Sequence, residues 1–139
     1  MLRLVLDTNV LISSLISKNS LSFLLYQAWD KGDYTLITSY EQLDEVTRVL
    51  RYPKLAHYFS SEEADIFVEG LRRTATITQN LPAVSASPDP GDNVILATAL
   101  AGYADYLVSG DKRDILFLKT IETVKIVSVR EAAALFATS

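Results

Sequence analysis

The stretch that most constrains this chain is Leu4-Val5-Leu6-Asp7-Thr8-Asn9-Val10-Leu11-Ile12. Its first half is a continuous apolar run, the pattern of a strand buried on both faces, and its second half places apolar residues at helical spacing. Between the two stands one carboxylate, Asp7. A charge at the end of a buried run must be paired, must hold a metal, or must lie at an opening that a ligand reaches, because an unpaired ion is too costly to remove from water. No cap or partner within its own segment accounts for Asp7, so the residue reads as functional.

The same strand-then-helix pattern continues along the chain. A second helix runs from Ser20 or Ser22 to Trp29 and ends at Lys31-Gly32, and Tyr34 to Thr38 forms the second strand. Ser39, with Gln42 three residues on, opens a helix that buries Leu43, Val46, Val49 and Leu50 and stops at Tyr52-Pro53. After a short irregular piece, Ser60 or Ser61 caps a helix with Glu62 and Glu63 in its first turn, and Thr74 to Gln79 reads as a weak third strand. The proline-rich stretch Leu81 to Pro90 is a loop. Asp89-Pro90-Gly91-Asp92 then opens the most apolar helix, with Asp89 suited to the N-cap, Pro90 to the first helical position and Asp92 to the third. Asp105 to Val108 is a strand leading into Ser109-Gly110-Asp111; Ile115 to Leu118 is helical, Lys125 to Val127 is a last strand and Val129 to Phe136 a last helix.

Alternating strands and helices, with strands that are apolar throughout, imply a parallel sheet covered on both faces. The expected fold is a three-layer α/β/α sandwich around a central parallel sheet, formed as one domain over residues 1–139, a length suited to a single core. The chain has no cysteine and a single histidine, His57, which excludes disulfides, thiolate zinc sites and histidine metal clusters. No apolar run approaches the roughly 18 residues of a membrane span, and Asp7 and Asn9 interrupt the N-terminal one, so a cytoplasmic location is expected. The net charge of −4 argues against binding nucleic acid through a broad basic surface. A polyanionic partner would therefore need a cation to mediate.

Open parallel sheets bind ligands at the carboxyl ends of their strands, where the strand order reverses. Asp7 and Asp111 both follow strands, and in a sheet of order 3-2-1-4-5 strands one and four are neighbours, which would bring the two aspartates together. On the helix after Ser39, at about 100° per residue, Glu45 falls at the rim of the buried stripe while Glu41, Asp44 and Arg48 fall on the far side. Asp92 would be kept ionised by the helix dipole, although capping explains it as well. Asp89 and Asp114 fit helix N-terminal roles, Asp114 as the close of a capping box begun by Asp111. Carboxylates converging without histidine or cysteine form an all-oxygen site that suits Mg²⁺ or Mn²⁺ rather than Zn²⁺.

Asp7-Thr8-Asn9-Val10, Glu45 within Leu43-Asp44-Glu45-Val46, Asp92 within Asp92-Asn93-Val94-Ile95-Leu96-Ala97, and Ser109-Gly110-Asp111 resemble, in order and spacing, the acidic motifs of the PIN-domain family. The resemblance spans nearly the whole chain. It implies a Mg²⁺- or Mn²⁺-dependent ribonuclease, and small members of this kind resemble the VapC-like toxin half of toxin-antitoxin pairs, which implies a cognate antitoxin and a homodimer. Carried over residue by residue, Asp7, Glu45, Asp92 and Asp111 match the metal-binding acids and Asn9 and Ser109 the polar positions that support them. Asp89 and Asp114 fall where some relatives carry a further acid.

The reaction expected on these residues is metal-assisted hydrolysis of RNA, with Arg48, Arg51, Lys54, Lys112 and Arg113 available to guide the flanking backbone. A phosphatase of the haloacid dehalogenase type also begins from an aspartate after the first strand, but resembles an Asp-x-Asp pattern whose second position here is Asn9. A catalytically silent module that binds RNA or protein is the other alternative, since fold alone does not establish activity. The aromatic stretches from Phe23 to Trp29 and from Tyr52 to Phe59 are candidates for a dimer or antitoxin surface, beside an ordinary role in the core.

Overall fold

A computed structural model describes residues 1–110 and 113–136, with the backbone alone for residues 113 and 114. The apolar run Arg3–Leu6 is strand β1, followed by helices α1 (Thr8–Ile16) and α2 (Leu21–Asp30). Strand β2 (Thr35–Ser39) leads into α3 (Tyr40–Leu50), a 3₁₀ turn at Pro53–Leu55, α4 (Ser61–Thr74) and strand β3 (Thr76–Thr78). Then come α5 (Pro90–Ala101), β4 (Tyr106–Ser109), α6 (Arg113–Leu118), β5 (Thr120–Ile121), β6 (Val124–Ser128) and α7 (Val129–Ala134).

Successive residues of a strand point to opposite faces, and here both faces are covered. Leu4, Leu6, Leu36 and Val108 pack with α1, α2, α3, α4 and α7, whereas Val5, Ile37, Leu107 and Ile126 pack with α5 and α6. This is the expected three-layer sandwich. Strand order among the described residues is β3-β2-β1-β4-β6-β5. The pairs β1 with β2, β1 with β4, β2 with β3 and β4 with β6 are all parallel, so the order reverses between β1 and β4, as the sequence pattern anticipates.

The sheet departs from the expectation of an all-parallel one at its edge. Strand β5 pairs antiparallel with β6, Thr120 opposite Lys125 and Ile121 opposite Val124. Two residues are too short for a periodic pattern, and the connecting Glu122-Thr123 has none of the glycine or asparagine that marks a tight hairpin; Glu122 itself adopts φ 50°. The third strand begins at Thr76 instead of Thr74. Helix α4 extends through Thr74, whose hydroxyl donates back to the Gly70 carbonyl at 2.6 Å. The last helix stops at Ala134 rather than Phe136, whose ring lies 5.0 Å from that of Tyr34. Tyr34 itself stands just before β2, buried, with its hydroxyl donating to the Leu25 carbonyl at 2.7 Å. Burial pushes its phenol above the ordinary tyrosine range.

Helix α5 is pinned at its carboxyl end. The Arg3 guanidinium donates twice to the Gly102 carbonyl, at 3.0 and 2.8 Å, satisfying a helix terminus that would otherwise be short of donors. Gly102 lies so close to β2 that a Cβ there would collide with Cγ2 of the buried Ile37. The requirement is for space, since its φ of −89° suits any residue. Gly102→Ala is therefore expected to destabilise the protein by about 1–3 kcal/mol, read as a lower urea midpoint with an unchanged denaturant slope.

Candidate active site

Asp7 sits just past the carboxyl end of β1, beside β4, where the strand order reverses. Its backbone N–H donates to the Val108 carbonyl at 2.9 Å, and its side chain is 0% exposed. Oδ1 accepts the Asn9 backbone N–H at 3.4 Å, and Oδ2 accepts the Ser109 hydroxyl at 3.1 Å. Asp7 is thus the N-cap of α1, which corrects the expectation that nothing in its own segment explains it. Capping does not explain the charge, however. Ser20, Ser39, Ser60 and Ser128 cap α2, α3, α4 and α7 in this same chain with neutral hydroxyls. At α1 a full carboxylate is buried for a task that serine performs elsewhere.

Of the two residues expected to support Asp7, Ser109 does so through its side chain and Asn9 through its main chain, with the Asn9 residue exposed. Thr8, which the sequence reading passed over, links Asp7 to the next acid: its hydroxyl donates to Glu45 Oε1. Glu45 is half-buried at the rim of α3, as its helical phase requires, while Glu41, Asp44 and Arg48 are exposed. The other oxygen of Glu45 faces α5, where a Cβ added to Gly91 would lie 3.7 Å from Glu45 Oε2 and 3.3 Å from Asp89 Oδ1. A side chain at position 91 would crowd the Asp89 carboxylate and touch that of Glu45.

The start of α5 has the predicted cap. Asp89 is exposed and accepts the Gly91 N–H at 2.9 Å, Pro90 begins the helix, and Asp92 takes the third position. Asp92 is only 2% exposed, and its Oδ2 accepts the Ser87 hydroxyl at 3.1 Å. Ser87 is a hub that was not apparent in the loop's composition. Its hydroxyl also accepts the Asp89 N–H at 3.2 Å, and Asn93 clamps its backbone from both sides, Oδ1 accepting the Ser87 N–H at 2.9 Å and Nδ2 donating to the Ser87 carbonyl at 2.8 Å. Five bonds thus fix the loop that delivers Asp92. The spacing of a serine six residues before an asparagine is the only trace of this in the sequence.

The contacts form a string: Ser109 to Asp7, the adjoining Thr8 to Glu45, Glu45 to the Gly91 junction, and Asp92 one residue further. Asp111 and Lys112 lie outside the described residues, as do the side chains of Arg113 and Asp114. Among the described residues, no group of three or more histidine, aspartate or glutamate side chains is gathered closely enough to hold a metal ion. The donor chemistry nevertheless fits a hard divalent cation: the acids are oxygen donors, two of them buried, and the chain has no cysteine. Arg48 lines a groove of about 400 Å³ with Glu41, Asp44, Glu45, Pro90 and Gly91. Arg51 points elsewhere, into a cavity of about 290 Å³ with Phe59, Ala64 and Val68.

None of the helices among the described residues is long and apolar enough to cross a membrane. No curated protein matches the chain. The PIN-domain family model matches it over residues 3–113, a span that takes in β1, the three acidic segments described above and the end of β4. The chain belongs to the PIN-domain family, and its fold is of the nuclease type.

Proposed function

We propose that this protein is an endoribonuclease that uses Mg²⁺ or Mn²⁺ to hydrolyse RNA phosphodiester bonds, acting as one domain over residues 1–139 in the cytoplasm. The observation that carries the reading is the burial of the Asp7 carboxylate at the β1/β4 switch point, tied through Thr8 to Glu45. Asp7, Glu45 and Asp92, together with Asp111, would hold the cation. When bound there, the ion supplies positive charge to the scissile phosphate and activation to the attacking water.

The chain's own residues set the orientation of each acid. Ser109 and the Asn9 N–H direct the two oxygens of Asp7, Thr8 directs Glu45, and Ser87 directs Asp92. Such outer partners hold ligands in the geometry a metal requires. The balance of charge favours the same reading. With a net charge of −4, the surface alone would repel RNA, so phosphate contact would depend on the cation, with Arg48, Lys112 and Arg113 as the proposed backbone contacts. Arg51, on another cavity, is a weaker candidate for backbone contact; the roles of Asp89 and Asp114 as additional acids stay part of the proposal.

The finer proposal is that the enzyme is the toxin of a toxin-antitoxin pair and forms a homodimer. An apolar groove of about 490 Å³ between α2 and α4, lined by Leu15, Tyr26, Trp29, Ile66 and Phe67, supports a protein partner, and Ile66 is 73% exposed there. Leu25, Leu55 and Phe59 of the two aromatic stretches belong instead to the core. A second reading, a catalytically silent module, is favoured by the spread of the described acids. Mn²⁺-dependent thermal stabilisation separates the two, because a cation that binds only the folded state must raise the melting temperature.

Three outcomes are expected. Wild-type protein cleaves single-stranded RNA with Mg²⁺ or Mn²⁺ and stops when a chelator is added; cleavage that survives both the chelator and Asp7→Asn overturns the mechanism. Ser109→Ala, which leaves the acids in place but removes a donor from Asp7, lowers metal affinity or kcat by roughly 10–100-fold, measured by Mn²⁺ titration and single-turnover cleavage. Expression of the wild type alone arrests growth of a bacterial host, whereas Asp7→Asn does not; equal growth of both would remove the toxin proposal while leaving the nuclease one standing.

A further inference from the structure

Gln42 is 1% exposed and occupies the third position of α3, where the Ser39-x-x-Gln42 pattern anticipates a capping box. Half of the box forms: Ser39 Oγ accepts the Gln42 backbone N–H at 3.2 Å. The side chain does not return to the N-cap, as those of Glu63 in α4 and Glu131 in α7 do. Its Nε2 donates instead to the Leu6 carbonyl at 2.7 Å, and its Oε1 accepts the Thr38 hydroxyl at 2.6 Å.

The Leu6 carbonyl needs this donor. In a trans peptide the carbonyl and the following N–H point in opposite directions. The Asp7 N–H is directed to Val108 on β4, so the Leu6 carbonyl is directed away from β4, toward β2. The β1–β2 ladder ends with Val5 opposite Ile37, and β2 turns into α3 after Ser39. The Gln42 amide therefore stands where a further rung of the ladder would be. It also places α3 against the last residue before Asp7.

Residues three apart on a helix are neighbours on one face, and Glu45 is three beyond Gln42. Helix α3 thus holds the β1–α1 corner at two points one turn apart, Gln42 to Leu6 and Glu45 to Thr8. Together with the buried Leu43, Val46 and Leu50, these two contacts fix the rotation of the helix about its axis. Behind them, Ser39 Oγ and Thr98 Oγ1 lie 2.9 Å apart, and Thr98 donates to the Val94 carbonyl at 2.8 Å, so the start of α3 is also tied to α5. We propose that Gln42 is the positioning residue of the acidic site: by completing the β1–β2 ladder with its side chain, it sets the rotation of α3 that presents Glu45 to Thr8 and to the start of α5. The catalytic consequence rests on the nuclease reading above, whereas the geometric one does not.

The test uses Gln42→Met, which keeps length and volume and removes both hydrogen-bonding groups, and Thr38→Val, which leaves Gln42 in place and removes only the donor that orients it. In each background the coupling between Thr8→Val and Glu45→Gln is measured by a double-mutant cycle in urea. The wild type is expected to show a coupling that falls by more than half in Gln42→Met and partly in Thr38→Val. Mn²⁺ titration is expected to show about tenfold weaker binding in Gln42→Met, and RNA cleavage a lower kcat with an unchanged KM, because a buried amide does not touch the substrate. An unchanged coupling in Gln42→Met overturns the proposal, as does an absent coupling in the wild type. Loss of stability with coupling and Mn²⁺ affinity both retained would make Gln42 a purely structural residue, which also overturns it. A wild type that neither binds Mn²⁺ nor cleaves RNA refutes the nuclease reading, and the coupling then decides the role of Gln42 by itself; should Gln42→Met not fold, Thr38→Val decides by the same criterion.

Discussion

The burial of the Asp7 carboxylate sets the terms for everything around it. A full charge removed from water must be compensated on the spot, and the place is the one point where neighbouring strands send their connections in opposite directions. The diverging connections leave a crevice there, and the end of β1 is flanked by helix starts: α1 on the same segment, α3 from the β2 side and α5 on the other face of the sheet. Helix starts carry unsatisfied N–H groups and partial positive charge. The fold therefore gathers at Asp7 the elements best able to tolerate negative charge.

The other polar groups near the site follow from that arrangement. Three acids of the site among the described residues each have a hydroxyl donor: Ser109 for Asp7, Thr8 for Glu45 and Ser87 for Asp92. A hydroxyl donor stabilises a carboxylate without cancelling its charge. The neutral network also reaches outward, through Gln42 to the sheet and through Ser39 and Thr98 to α5. Among the described residues no buried side-chain nitrogen or oxygen is left without a partner, which is the condition for a buried polar network to hold one geometry. The sole ion pair among the described residues, Arg72 with Glu69 on α4, is exposed and at 4.0 Å contributes little.

Two grooves lie on different elements. The groove beside Glu45 mixes Glu41, Asp44 and Arg48 with Pro90 and Val94, while the groove between α2 and α4 combines Leu15, Tyr26, Trp29, Ile66 and Phe67 with Asp30, Glu63 and Thr74. Tyr26 of the second groove stacks on Phe23 and meets Trp29 edge to face, with ring centroids 5.9 and 5.8 Å apart. The separation matters for the proposed function, because a protein partner on the apolar face would leave the acidic opening clear unless it reached across α3.

Local patterns in the sequence determined the elements. The apolar runs, the caps at Ser39 and Asp89, Pro90 at the start of α5 and the phase that puts Glu45 at the rim of α3 all depend on residues within a turn or two of one another, and each is where the sequence places it. Strand order was legible too, because parallel strands joined by helices admit few arrangements. The two-residue β5 was not, and among the partners of the acids Ser109 was expected while Thr8 and Ser87 were not. Ser109 and Asp7 are 102 residues apart, Thr8 and Glu45 are 37 apart, and Gln42 and Leu6 are 36 apart. The same Gln42 that in local terms completes a capping box serves the sheet instead, because folding brings it an unsatisfied carbonyl that no nearby residue could supply. Sequence determined which groups carry charge; tertiary structure decided which hydroxyl and which amide would hold them, since a hydrogen bond depends on a separation of about 3 Å that only the packed layers create.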